Sequence, residues 1–190
     1  TNTVVGSTAG ADMTSGSSNV LMGSEAGHEL TTATNNVAIG ASALDRMDGA
    51  PANNVAVGGG AMHGNLSNVA ITGCVAVGHE ALEGTLTVGA NYSVAIGKEA
   101  LKILTSGAGN IAVGYQAGDA INTGAQNTIL GHQAGSALSN DDNNTFIGFN
   151  SGLSNTGTKN VAVGNHTMKN GSGAGNNNTA SGSSALYALT

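Results

Sequence analysis

The chain has 190 residues, of which 8% are charged and 3% aromatic, and its formal net charge is −6. Both fractions lie far below globular usage. Five Lys and Arg in all leave no basic stripe for nucleic acid, and no run approaches the roughly 18 apolar residues that would insert into a membrane. Disorder is disfavoured because Val, Ile and Leu recur at fixed places, and collagen is excluded because Gly does not recur every third residue.

One nine-residue phrase recurs eleven times from end to end. It reads Asn, an apolar residue or Thr, a small or apolar residue, an apolar residue, Gly, two variable positions, Ala, then Gly or a larger apolar residue. In chain order its central glycines are Gly6, Gly23, Gly40, Gly58, Gly78, Gly97, Gly114, Gly131, Gly148, Gly164 and Gly182, spaced by 16 to 20 residues. A fixed period with one strand signal per copy marks a stacked repeat. The chain opens inside one copy and stops just after another, without a visible signal peptide, so a slice of a longer protein is expected.

Each copy predicts one short strand. The positions one and three before the glycine are apolar, as in Val37 and Ile39, Val55 and Val57, Val75 and Val77, Val94 and Ile96, and Val161 and Val163. This period-two alternation of β-branched residues around a central Ala signals a strand with one buried face, and the β-branched pair is the natural candidate for that face. Gly then ends the strand at a sharp bend. The Ala three residues later is expected to open a second short extended segment, with Leu44, Met62, Leu82, Leu101, Met168 and Leu186 adding inward contacts after it. Thr/Ser/Asn/Gly clusters supply the turns. Lys98 to Leu104 could form one or two helical turns but lacks a clear cap.

Strand, bend, short strand and turn at about 17 residues describe an all-β chain: a parallel β-solenoid of about eleven coils forming a single repeat domain over 1–190. At about 4.8 Å per coil it would span roughly 50 Å. Asn opens the phrase at Asn2, Asn19, Asn36, Asn54, Asn110, Asn127, Asn144, Asn160 and Asn178, and stacked amides can pair along the axis. Cys74 and Ser93 replace it in the other two copies. A lone Cys forms no intrachain disulfide, so Cys74 reads as a small buried stand-in for Asn. Residues 64–93 form an irregular zone: Asn68-Val69-Ala70-Ile71-Thr72 copies the strand without its glycine, which predicts a bulge, a protruding loop or a change of registry. With three or four inward side chains against about 17 ordered residues, each coil looks too thin to stand alone. An intertwined or side-by-side homotrimer would pool three apolar faces, with the flanking valines and isoleucines inside.

The residues offer no catalytic constellation, so no enzymatic activity and no cofactor is expected. The five histidines lie in different copies, and His79 and His132, which share the slot after Gly, would be about 14 Å apart, too far to share a metal. Asp141-Asp142-Asn143-Asn144 lacks the spacing of a calcium loop, and Gly58-Gly59-Gly60 is followed by no Lys-Ser/Thr pair for phosphate. Recognition is expected from the variable slots, where Tyr115 and Phe149 could offer aromatic faces to a sugar ring or an apolar patch, although packing of these rings against neighbouring coils or at the trimer interface is the favoured reading. Thr3, Thr128, Thr145 and Thr179 share one slot, but too few copies follow for an ice-binding array.

The phrases Asn110-Ile111-Ala112-Val113-Gly114-Tyr115-Gln116-Ala117-Gly118 and Thr123-Gly124-Ala125-Gln126-Asn127 resemble the repeats of bacteriophage tail-fibre proteins. The resemblance covers essentially the whole chain, and it implies a trimeric shaft on the virion surface, joined to further fibre domains of the same chain and contributing to attachment to a host-surface glycan or protein. No chaperone or virion-attachment segment of that family is recognisable. A weaker similarity links the Val-Ala-Ile-Gly core to the head repeats of trimeric autotransporter adhesins, which usually have a shorter period.

Overall fold

The computed structural model describes residues 1–47, 49–64, 69–170 and 175–188. Every phrase forms a three-residue strand: β1 Thr3–Val5, β2 Val20–Met22, β3 Val37–Ile39, β4 Val55–Val57, β5 Val75–Val77, β6 Val94–Ile96, β7 Ile111–Val113, β8 Thr128–Leu130, β9 Thr145–Ile147, β10 Val161–Val163 and β11 Thr179–Ser181. All eleven pair in chain order in one parallel sheet, so the chain is a β-solenoid. Register follows the phrase: Val37 pairs Val55 and Ala38 pairs Ala56, and this persists across the longest spacing, where Val55 pairs Val75.

The bend after each strand depends on its glycine. Gly114 has φ 140°, and a Cβ there would run into the Gly131 carbonyl of the next coil. An L-residue meets both a forbidden backbone region and a backbone collision. The following segment is not the second strand expected from the sequence but a succession of turns. In Lys98–Leu104, for example, the Ala100 amide donates to the Gly97 carbonyl and the Leu104 amide to that of Leu101. Glu99 and Leu101 lie in the left-handed region at φ 60° and 49°, which is incompatible with the helical turns considered for this stretch. A second, shorter ladder comes instead from the far turn, where Ser17, Thr34, Ala52 and Thr72 bridge in parallel.

The strand faces are the reverse of the sequence expectation. The central residues point inward: Leu21, Ala38, Ala56, Ala76, Ala95, Ala112, Ile129, Phe146 and Ala162 are all buried, whereas the flanking Val and Ile residues are half-buried or exposed on the outer surface. Ala fits the interior because the tight turn returns a second row directly opposite, with Ala43, Ala61, Ala81, Ala100 and Ala117 buried beside Leu44, Met62, Leu82 and Leu101. Each coil therefore closes around its own core, and the thin-coil argument for a trimer does not hold.

Interior volume is balanced coil by coil. Where the position four after the central glycine carries Leu or Met, the strand centre is Ala, as in Ala38 with Leu44 and Ala56 with Met62. Where that position is glycine, larger residues fill the space. A Cβ at Gly27 would meet Leu30 and Leu21, one at Gly135 would meet Ile129, Leu138 and Phe146, and one at Gly152 would enter the Phe146 ring.

The irregular zone keeps its registry, so of the alternatives read from the sequence a registry shift is excluded; residues 65–68 of it lie outside the described residues. Ile71 is not part of a strand. It is buried in the far turn, and its carbonyl accepts from Asn54 Nδ2 at 2.8 Å. A single 3-10 turn, Val88–Ala90, takes up the extra length in the following coil.

Phe146→Ala should leave a cavity that the flanking glycines cannot fill. A loss of about 3–5 kcal/mol is expected, the usual range for a buried Phe, measurable by denaturant unfolding.

Candidate interaction surfaces

Three longitudinal surfaces follow from stacking one phrase on the next. The first is internal. Asn36 Nδ2 donates to Asn19 Oδ1 at 3.0 Å and to the Pro51 carbonyl at 2.9 Å, while its own Oδ1 accepts from the Asn54 backbone amide at 3.0 Å and from Asn54 Nδ2 at 3.1 Å. Both amide hydrogens and both carbonyl lone pairs are thus used. The row runs from Asn2 through Asn19, Asn36 and Asn54, and again from Asn110 through Asn127 to Asn144. The backbone amides of Asn160 and Asn178 continue it by donating to Asn144 Oδ1 and Asn160 Oδ1. At Cys74 and Ser93 shorter side chains do part of the work. Cys74 Sγ lies 3.4 Å from the Ala90 carbonyl and Ser93 Oγ donates to the Gly107 carbonyl at 3.3 Å, and burial pushes the Cys74 thiol up from its ordinary pKa. From Asn19 to Asn160 the asparagines of the row are buried and engaged with neighbouring coils, whereas the central glycines are half-buried, or exposed at Gly6 and Gly182.

The second surface is the outer face of the sheet. Its two columns run from Thr3, Val20 and Val37 to Thr179, and from Val5, Met22 and Ile39 to Ser181. None of these residues is charged, and only Thr3, Thr128, Thr145, Thr179 and Ser181 are polar. The four threonines do share the first column, but Val or Ile between them leaves no regular hydroxyl array. Eleven strands about 4.8 Å apart, with a width of about 10 Å, give an uncharged strip of roughly 500 Å². All-parallel sheets are normally covered on both faces, whereas this face is left uncovered within the chain; its extent falls in the range of the largest apolar patch on an ordinary monomer, which is often functional.

The third surface follows the bend. Tyr115, His132 and Phe149 stack with ring centroids 5.0 and 5.1 Å apart, and His166 and Tyr187 extend the row edge-on at 5.4 and 6.5 Å. Lys98 Nζ caps it, 5.9 Å from the Tyr115 centroid. Tyr115 and Phe149, for which the sequence offered either contact with a sugar ring or apolar patch or packing against neighbouring coils, therefore do the latter: they turn their faces toward His132. The signal for this lay in the shared slot after glycine, which Tyr115, His132 and Phe149 occupy in consecutive copies.

Five residues after each glycine, six consecutive coils carry ionisable groups in the order His28, Asp45, His63, Glu83, Lys102 and Asp119. The buried Asp45 lies between His28 Nδ1 at 3.8 Å and His63 Nε2 at 3.9 Å. Lys102 Nζ meets Glu80 at 2.7 Å, Glu83 at 3.6 Å and Glu99 at 3.9 Å. Its hydrogen bond holds the Glu80 carboxyl below the usual range, and that from Gln116 does the same for Glu99. A shallow recess of about 320 Å³ opens where Gly59 and Gly60 occupy the two slots after the bend glycine, between Ser42 on one side and His79 and Glu80 on the other. Sequence reasoning missed this column because it compared histidines with one another and not with the carboxylates sharing their slot. Among the described residues no group of three His, Cys, Asp or Glu is arranged to hold a metal, and no helix is long and apolar enough to cross a membrane. Asp142 of the acidic stretch serves its turn, its Oδ1 accepting from the Ala125 amide at 2.7 Å.

Comparison with protein-family models, curated proteins and solved structures yields no match.

Two outcomes follow. Asn127→Leu would strand the Asn144 amide donors and the Asp141 carbonyl that Asn127 now serves. At about 1–3 kcal/mol per unsatisfied buried group, unfolding should show a loss of at least about 3 kcal/mol, and Asn127→Ser a smaller one. Burial raises the Asp119 pKa, and its Oδ1 is buried without a partner. The charged form is thus penalised in the folded state at neutral pH, and the penalty disappears as pH falls through the folded pKa and then the unfolded one. Asp119→Asn should raise Tm at pH 7, and the difference should vanish near pH 3.

Proposed function

We propose that this chain is a structural segment of a virion fibre, a shaft of a phage tail or capsid fibre in which three copies pack their outer sheet faces around a common axis. The observation that carries this reading is the uncharged strip of Val, Ile, Met and Leu on an otherwise polar rod. In water it leaves large apolar side chains exposed, including Met22 at 40%, Ile39 at 38%, Ile96 at 38%, Ile111 at 41% and Val163 at 37%. Self-association around a three-fold axis covers all three strips at once and closes the assembly, so no face remains to recruit further copies. The β-branched pairs then do lie inside, between subunits and not within one.

The same geometry suits a mechanical role. Successive coils are tied together by parallel ladder bonds and by the asparagine row, so bending the rod anywhere would break directional bonds across the whole cross-section. The resemblance of the repeats to tail-fibre proteins supplies the setting: the shaft holds adjoining fibre domains away from the particle and contributes to contact with the host surface. The role we assign is architectural and not catalytic.

The test separates the two faces of one strand. Wild-type chain should sediment as a trimer. Val113→Asp, alone or with Ile96→Asp, should yield a monomer that retains its β-sheet circular dichroism, because the carboxylate projects from the outer face. Ala112→Asp should abolish folding, since Ala112 is wholly buried and an unpaired interior charge costs several kcal/mol. A monomeric wild type, or equal loss of fold in the Val113 and Ala112 variants, would overturn the reading.

A further inference from the structure

The ionisable column follows a rule that the scaffold does not require. Bases and acids alternate over six consecutive coils, as His28, Asp45, His63, Glu83, Lys102 and Asp119. Stacked in register about 4.8 Å apart, each inner member has the opposite kind on either side. Such a column draws its coils together only while its bases carry charge. Lys102 does so at any ordinary pH, and its Nζ lies 3.6 Å from Glu83. The other two bases are imidazoles, whose charge is decided between about pH 5 and 8.

Asp45 is where that choice matters. Its side chain is 7% exposed, and its Oδ1 accepts from the Arg46 backbone amide at 2.8 Å. Among the described residues no Lys or Arg side chain lies within ion-pair distance of it. The bases that do are His28, with Nδ1 3.8 Å from Oδ1, and His63, with Nε2 3.9 Å from Oδ2. One oxygen thus faces the coil before and the other the coil after. Between neutral imidazoles the carboxylate is a buried charge without a cationic partner, which is the costly arrangement. Between two imidazolium groups it becomes the centre of two ion pairs that span three coils.

The charged surroundings do not oppose this. On these three coils and the two that flank them, the other described carboxylates are Asp12, Glu25, Glu29, Glu80 and Glu83, against the bases Arg46 and His79. Glu83 lines the recess together with His63. Lys102 reaches Glu80 and Glu83 from the next coil, and His79 lies 3.7 Å from Glu80. Carboxylates remain in excess around the two histidines.

We propose that His28, Asp45 and His63 form a pH-operated clip: on acidification the protonated histidines close on the two oxygens of Asp45 and tie the coils of β2, β3 and β4 together. The clip needs no ligand and lies within one chain, so it does not depend on the trimer. Because these ion pairs exist only in the folded chain, the stability they add is present at the acid end of the imidazole range and lost toward its alkaline end.

The test compares urea unfolding of the whole chain at about pH 5.5 and about pH 8, on either side of the ordinary imidazole pKa, at one protein concentration. On acidification the wild-type folding equilibrium should gain about fivefold more than that of the His28→Gln, His63→Gln double variant, as two partly exposed ion pairs supply. Asp45→Asn keeps the shape of the side chain and should lose the same increment, and each single histidine variant should lose part of it. Contributions from Asp119 and from the other histidines are common to all variants and cancel. Equal gains in wild type and double variant would overturn the proposal, since the histidines would then be packing groups alone. So would retention of the whole increment in Asp45→Asn. If Asp45→Asn does not fold, the histidine variants decide, their side chains being partly exposed. Sedimentation at both pH values reports the oligomeric state, so an effect of pH on assembly is told apart from the clip.

Discussion

A buried amide that uses all of its hydrogen-bonding capacity between coils is the constraint on which this structure turns. In the Asn36 arrangement one side chain satisfies the far-turn carbonyl of the next coil, the backbone amide that opens the next strand, and the amide groups of its neighbours before and after. Three-residue strands contribute few ladder bonds each, and the far-turn carbonyls of Ala33, Pro51 and Ile71, which take one backbone amide each, receive their second hydrogen bond from the row. Unpaired buried groups cost more than paired ones return, so the row fixes where each turn must close and in what register the next coil is laid down. The substitutions at Cys74 and Ser93 retain enough of this to keep register: the Cys74 amide still donates to Asn54 Oδ1 at 2.9 Å, and the Asn110 amide reaches Ser93 Oγ at 3.4 Å.

Once the amide row and the glycine bend set the path of the backbone, the interior has room for little more than Ala at the strand centre. This explains the pairing of Ala with Leu or Met across the coil, and of Leu21, Ile129 or Phe146 with glycine. It also explains why β-branched residues are on the outside: two Val or Ile per strand, facing inward, would overfill a cross-section that one Ala and one Leu already occupy. Their regular presence outside then demands a different explanation, and the one we propose is a mating sheet face on identical copies.

The surface away from the sheet shows how stacking converts a repeat into longitudinal arrays. Variable slots that look unrelated in one dimension become a row of rings and a column of ionisable groups that includes Asp45 and Lys102. Most of these groups are partnered along the axis and so are spent on holding coils together. Where glycine interrupts a column, as at Gly59–Gly60, the recess between Ser42 and Glu80 opens.

The sequence by itself determined the architecture. A fixed spacing of Asn and Gly, with one apolar triplet between them, admits a parallel solenoid and little else, because only in-register stacking brings like to like at every coil. It determined equally that the asparagines pair with one another and that the last Leu or Met of the phrase turns inward, except at Leu186 in the last coil, which is 44% exposed because no described coil follows to cover it. Which face of the triplet is buried was decided by the tertiary structure. Period-two alternation is symmetric between the two sides of a strand, and β-branched residues are commoner inside, so Val37 and Ile39 were the natural choice over Ala38. The closeness of the returning turn settles it, and that distance is set by left-handed residues such as Glu99 and Leu101, which carry no compositional mark. The aromatics were undetermined for the same reason. Whether Tyr115 or Phe149 offers a free face depends on what the coils above and below place beside it, and those neighbours lie 17 or more residues away in the chain.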